Sequence, residues 1–265
     1  MTSGKQARRQ RQAQVARPPV RSTEGRRASP AVLLGALAGL AGLAVAIALI
    51  VVFAGGNSGS GSTTATVLPD ASFVTRQFAD IPQQGNVLGK ASAPATMVEY
   101  IDLQCPVCRA FETDVMPTVI NRYVRTGKLR VEARPVAIIG DGVDSQRGRL
   151  GMIAAEQQNR GFNFAQILYF NQGPEDGGWL DDTMVASAAK SIPGVNVQAL
   201  VDATKSSAVL ERAHTYDREA ETDGLTGTPF VLVGKTGAKL TAVTPGSMPD
   251  VAAMNAAINA ALKRQ

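Results

Sequence analysis

The period of the hydrophobic positions changes several times along the chain, and each change marks an element. Residues 31–54 have no period: 24 consecutive positions carry no charge and no strongly polar side chain. About 20 such residues cross the hydrocarbon core of a bilayer, so this run reads as a transmembrane helix. A cleaved signal peptide competes with that reading, but its apolar region is only about 7 to 15 residues. Gly35 and Gly39 form a G-x-x-x-G, a match expected by chance in a segment this rich in Gly and Ala. Residues 55–66 are Gly, Ser, Thr and Ala with one Asn, the composition of a flexible tether.

The folded part is expected from Val67 onward. Residues 72–78 read as a short strand. Residues 82–94 read as loop, because Gly85, Gly89, Ala91 and Pro94 break any period. Residues 95–103 then form a buried-strand pattern, with Thr96, Val98, Tyr100 and Ile101 suited to a pleated sheet. A helical stripe follows: Val107, Phe111, Val115, Val119 and Tyr123 are spaced by four, with Met116 and Ile120 beside them, and all are expected in the core. Pro117 should remove a backbone bond and kink this helix, and Gly127 should end it. Leu129, Val131 and Ala133 alternate with Arg130, Glu132 and Arg134, which is a half-covered strand ending at Pro135.

Strand, helix and strand in this order predict a right-handed βαβ unit. From residue 141 to 223 the strand signals disappear. Helices are expected at 144–158, 162–171, 181–191, 197–204 and 209–222, separated by Gly and Pro. Residues 229–234 return to a continuous apolar strand, 240–243 are its expected partner across a turn, and 249–263 form a closing helix. The pattern is one α/β domain with a helical segment inserted between its halves.

Charge changes the picture only at the N-terminus. The chain has 265 residues and a net charge of +5, but residues 1–30 hold eight basic side chains against Glu24 alone. The remainder carries two more acids than bases, so the folded domain implies no nucleic-acid surface. The basic tail, expected to be disordered, should be retained in the cytoplasm, which puts everything after the span outside. No cysteine lies near the end of the span, which excludes a lipid-modified cysteine anchor.

Cysteine usage completes the pattern. The chain has two cysteines, and both belong to Gln104-Cys105-Pro106-Val107-Cys108, where the strand at 95–103 meets the helix. One helical turn brings two sulfurs at this spacing together. Pro106 suits the first helical position and leaves Cys105 at the cap, where unpaired N–H groups and the helix dipole favour a thiolate. An outward-facing domain lies in an oxidising compartment, where such a pair can be held as a disulfide. A structural zinc site would need carboxylates in addition to one histidine and two cysteines. His214, the lone histidine, is expected at the surface or in packing, and Trp179 is expected to pin a loop into the helical insertion.

The stretch Val98-Glu99-Tyr100-Ile101-Asp102-Leu103-Gln104-Cys105-Pro106-Val107-Cys108, followed by Gly227-Thr228-Pro229-Phe230, resembles the DsbA-like branch of the thioredoxin superfamily. The resemblance spans residues 84–265. It implies an α/β thioredoxin-like fold with an inserted helical domain at about 141–223, preceded here by one N-terminal transmembrane helix. It implies thiol–disulfide exchange on cysteine-containing exported proteins, with no cofactor beyond the redox pair. In that scheme Cys105 is the exposed attacking or attacked sulfur and Cys108 the buried, resolving one.

Further expectations follow from the same resemblance. Pro229 corresponds to the family's cis-proline facing the cysteines; spacing alone leaves cis and trans open. Thr228 would present its backbone to a bound peptide. Glu99 stands where thioredoxin-like proteins often carry a buried acid that exchanges a proton with the resolving cysteine; a solvent-facing strand acid is the alternative. The intervening Pro106-Val107 lacks the histidine of the strongly oxidising members, which argues for a weaker oxidant. Reoxidation would fall to a membrane quinone reductase of DsbB or vitamin K epoxide reductase type. A membrane-anchored reductase or isomerase, and a metal-binding or scaffold module, are the competing functions.

Overall fold

The computed structural model describes residues 64–263. The basic tail at 1–30, the span expected at 31–54 and most of the tether at 55–66 lie outside the described residues. Among the described residues no helix is long and apolar enough to cross a membrane.

Six strands form one sheet: β1 (Gln83–Gln84), β2 (Val87–Leu88), β3 (Ala95–Ile101), β4 (Leu129–Pro135), β5 (Phe230–Lys235) and β6 (Thr241–Ala242), in the order β1-β2-β4-β3-β5-β6. β3 and β4 run parallel, in register from Ala95 opposite Leu129 to Ile101 opposite Pro135. β5 is antiparallel to β3 on the other side, with Tyr100 opposite Phe230. Because β3 is central and covered on both faces, all seven of its residues are buried, whereas β4 alternates as its sequence does. Ala95, Met97 and Ile101 belong to the main core, while Val98 and Tyr100 belong to a smaller cluster on the opposite face.

Helix α1 (Ala71–Gln77) occupies the segment that reads as a strand. No sheet edge receives it; Val74 and Phe78 are buried four residues apart, and the Phe73 ring meets Phe170 edge-on at 5.3 Å. The expected loop at 82–94 contains the β1–β2 hairpin, which extends the sheet through β4. Two-residue strands rich in Gln carry too little periodicity to be seen. At Gly89, φ is +104°, and a Cβ would lie 2.9 Å from Val124 and 3.0 Å from the Leu129 carbonyl.

Helix α2 spans residues 106–124 and holds two π-helical turns, Phe111–Val115 and Ile120–Val124. Residues four apart drift about 40° per step around an α-helix of ~3.6 residues per turn, so a stripe spaced by four would wind off the core. The wider π turns compensate for this drift, and Phe111, Val115, Val119 and Tyr123 are all buried. The disturbance expected at Pro117 takes the form of the π turn just before it, leaving Pro117 in the first turn of Met116–Val119. Val107 departs from the stripe: it is 46% exposed.

Five helices separate β4 from β5: α3 (Val143–Glu156), α4 (Gly161–Phe170), α5 (Asp182–Lys190), α6 (Val197–Ala203) and α7 (Ser207–Asp223), each within two residues of its expected ends. The side chains of Asp181, Asn196 and Ser206 cap the last three, each accepting a backbone N–H. Helix α8 (Val251–Lys263) closes the fold. Ala65 and Thr66, expected as tether, are already held by α5. Thr66 N–H donates to Ser187 Oγ at 3.1 Å and Lys190 Nζ to the Ala65 carbonyl at 2.8 Å.

Candidate functional site

The site is built where β3 ends. Asp102, fully buried, organises the turn with its carboxylate: Oδ1 accepts from Gln104 N–H at 3.1 Å and Ser145 Oγ at 2.8 Å, and Oδ2 from Ile138 and Ile139 N–H at 2.8 and 3.1 Å. The turn then places Cys105 at the cap of α2 in an extended conformation, φ −71° and ψ 119°, with Pro106 in the first helical turn. Cys105 Sγ accepts the N–H of Cys108 at 3.4 Å, as a serine or aspartate cap would. Both cysteines are free thiols here.

The 228–229 segment closes the site from β5. The Thr228–Pro229 peptide bond is cis, as the resemblance implied, and the Cys105 thiol donates to the Thr228 carbonyl at 3.5 Å. Thr228 Oγ1 is buried without a partner at ordinary hydrogen-bond distance. Its side chain also favours the thiolate at both sulfurs. One expectation is corrected at this point: Cys105 is only 3% exposed, because it is tucked under this segment at the cap. Pro106 and Val107 are the exposed members of the motif. Beside Val107 lies a groove of about 230 Å³ lined by Val107, the 226–230 segment, Val243, Thr244 and Gly246 to Met248.

The two sulfurs are held in opposite states. A hydrogen bond from the Cys108 thiol, helped by the N–H groups of Cys108 and Val107, lowers Cys105 to about 6. Complete burial, together with the bond to and the charge on Cys105, raises Cys108 well above an ordinary thiol. One sulfur is a nucleophile and a good leaving group near neutral pH; the other waits as a thiol until the disulfide forms or breaks.

Glu99 faces the same side of the sheet as the cysteine helix and is buried. The solvent-facing alternative is therefore excluded. Burial and the neighbouring Glu112 carboxyl raise its pKa well above the carboxylate range, and Glu112, four residues after Cys108 on α2, is raised by burial as well. Glu99 Oε2 and Glu112 Oε1 have no hydrogen-bond partner. Two facing carboxyls of this kind share a proton, so the pair can hold or release one behind the sulfurs.

Several residues of the site escaped the sequence reading. Glu112 stands four residues after Cys108, on the same face of the helix, and that spacing is the signal that could have found it. Asp102 and Gln104 precede the cysteines but carry no periodicity that marks them. Gln104 is buried and paired with the 173–178 loop: its Nε2 donates to Asp176 Oδ1 at 3.0 Å, and its Oε1 accepts the Asp176 N–H at 2.8 Å. Nothing in the sequence could have joined positions 72 residues apart. Trp179 packs on Gly173, where a Cβ would meet the ring at 2.6 Å, so it does pin that loop. The His214 side chain is 72% exposed and 3.9 Å from Asp217, away from the sulfurs.

The chain is similar to known proteins. A family model described as thioredoxin matches residues 82–248. A probable disulfide bond formation protein D of Bacillus cereus is 27% identical over 188 residues, covering 71% of this chain and 82% of that protein. Disulfide bond formation protein D of Bacillus subtilis is 27% identical over 119 residues, 43% of this chain and 51% of its own. Among solved structures, oxidised BdbD of Bacillus subtilis superposes with a TM-score of 0.58 at 20% identity, covering 69% of this chain and 97% of that one. Alpha-DsbA1 of Wolbachia pipientis also gives 0.58, at 17% identity over 70% and 92% of the two chains. With its C-x-x-C, its cis-proline and its helical insertion, the chain belongs to the thioredoxin family, as a DsbA-like thioredoxin-fold thiol–disulfide oxidoreductase.

Proposed function

We propose that this protein works outside the cell membrane, tethered by residues 31–54, and forms disulfides in exported proteins through Cys105 and Cys108. The observation that carries the reading is the unequal pair: a Cys105 thiolate favoured at the cap of α2, about 6, against a Cys108 thiol held neutral by burial. In the oxidised protein a substrate thiolate attacks Cys105 Sγ, the bond to Cys108 breaks, and Cys108 leaves and takes a proton. A second substrate thiolate then attacks the substrate sulfur of the mixed disulfide, and Cys105 departs as a thiolate. Two electrons have moved from substrate to protein, and no cofactor beyond the cysteine pair is required. Glu99 and Glu112 supply the proton that Cys108 needs. The cis Thr228–Pro229 segment offers its backbone to the substrate strand beside Cys105.

The relatives' names, disulfide bond formation protein D, support the oxidising direction. A membrane quinone reductase of DsbB or vitamin K epoxide reductase type then restores the disulfide. The absence of a histidine between the cysteines favours a second reading, a membrane-anchored reductase or isomerase. Titration of the pair against glutathione decides between them. A potential well above about −200 mV is expected, and one near thioredoxin's, about −270 mV, overturns the oxidase reading.

A further inference from the structure

Helix α4 of the insertion lies against the cysteine turn, and three side chains at a spacing of three reach the turn from it. Gln166 Nε2 donates to the Glu112 carbonyl at 3.3 Å, and the Tyr169 hydroxyl donates to the Asp102 carbonyl at 3.2 Å. Gln172, just past the end of the helix, uses one amide nitrogen twice, donating to the carbonyls of Leu103 at 3.0 Å and Cys105 at 3.2 Å. Every accepting oxygen belongs to the turn or helix that carries the sulfurs.

The two bonds from Gln172 fall on the turn itself: the Leu103 carbonyl takes the amide at 3.0 Å, and the Cys105 carbonyl takes it at 3.2 Å beside the first helical bond, from Arg109 N–H at 3.0 Å. The peptide plane after Cys105 ends in Pro106 and has no N–H, so its carbonyl is the one group by which that plane can be held. Its orientation sets ψ of Cys105 at 119°, the cap geometry in which Sγ meets the Cys108 N–H at 3.4 Å. The plane after Leu103 is held from both sides, by Gln172 at its carbonyl and by Asp102 Oδ1 at the Gln104 N–H. Both carbonyls turn their negative ends toward an amide and away from open solvent, beside a sulfur that must carry negative charge.

We propose that Gln172 is a positioning residue of the redox centre: its amide fixes the Leu103 and Cys105 carbonyls, and with them the cap that presents backbone N–H groups to Cys105 Sγ. This rests on the thiol–disulfide reading. Through Gln172 the helical insertion helps to set how strongly the reduced protein favours its thiolate.

The test uses the full chain with Gln172→Leu, which removes both donors at similar volume, and Gln172→Glu, which replaces them with a carboxylate. Gln172→Met stands in should the leucine variant fail to fold. Two readouts are taken: the pH midpoint of thiolate absorbance in the reduced protein, and the equilibrium with glutathione. Gln172→Leu is expected to raise the midpoint and shift the equilibrium about three- to tenfold toward the protein disulfide. Gln172→Glu should shift both further in the same direction. Unchanged midpoint and equilibrium in both variants, even with a lowered melting temperature, would overturn the inference and leave Gln172 as a packing residue. A wild-type protein whose cysteines form no disulfide against glutathione would instead overturn the exchange reading itself.

Discussion

On one face of β3, Tyr100 sits in a polar network in which every partner is accounted for. Its hydroxyl donates to Asp223 Oδ2 at 2.6 Å and accepts from Arg134 Nη1 at 2.7 Å; Arg134 also pairs with Glu132 at 3.3 Å, Glu219 at 3.2 Å and Asp223 at 3.2 Å. On the other face, one residue earlier, Glu99 meets only another acid, and each of the two leaves an oxygen unpaired. Both faces bury charge-bearing groups within one strand. The paired network fastens α7 to the sheet, whereas the unpaired acids sit behind the sulfurs, where an easily moved proton is useful. Satisfied polar groups stabilise a fold; an unpaired buried acid with a raised pKa beside the sulfurs is a candidate for proton transfer.

The largest effect should come from the sulfurs themselves. Replacing Cys105 with serine is expected to reduce exchange to the uncatalysed rate, whereas Cys108→Ala should keep the first attack and accumulate mixed disulfides, seen on non-reducing gels. Accumulation with Cys105→Ala in place of Cys108→Ala would reverse their roles.

The two faces are separated next. Glu99→Gln should slow the step in which Cys108 leaves or attacks by about a hundredfold, the lower end of what loss of a general acid costs. It should also remove a pH dependence. Free carboxyls titrate near about 4.3, and burial raises both Glu99 and Glu112 in the folded state. The folded protein therefore holds more protons above that pH, and its stability falls as pH rises through the raised values. The Gln variant should lose part of that decline and gain in melting temperature at high pH. Equal exchange rates and parallel melting curves would place Glu99 with Tyr100 as a structural residue.

Arg134→Leu should do the opposite, costing about 1–3 kcal/mol of stability by stranding Asp223 and Tyr100 while leaving the glutathione equilibrium unchanged. A shifted equilibrium would mean that the two faces are coupled.

The smallest expected effect is in the reduced protein alone. Iodoacetamide should label Cys105 first, with a rate that rises through a midpoint of about 6. Because an unfolded thiol titrates near about 8.5, the thiolate's contribution to stability is fully present above that value. It is lost as pH falls through about 6. Reduced minus oxidised stability should therefore rise between these two values, and a flat difference would show that the thiolate is not selectively stabilised.

Much of this was legible in order along the chain. The C-x-x-C at a strand-to-helix junction, the alternation at 129–134 and the five helices of the insertion are local patterns, and local patterns survive folding when packing agrees with them. The strand expected at 72–78 did not survive, since a seven-residue segment with apolar residues at either spacing is decided by what it packs against. The thiol–disulfide scheme implied an exposed Cys105, but the segment that covers it arrives 123 residues later.

The sequence by itself determined the chemistry available: two cysteines one helical turn apart, a proline opening the helix, an acid on the strand before it and a threonine-proline pair ahead of a late strand. Tertiary structure decided how these groups behave. The cis bond at Thr228–Pro229 closes over Cys105, Glu112 faces Glu99 across the core, and Gln172 reaches back to hold the turn. The reason is physical: residue type sets which atoms can carry a proton or an electron pair. Burial, hydrogen bonds and neighbouring charge, made partly within one helical turn and partly by residues distant in sequence, set how readily each one does so.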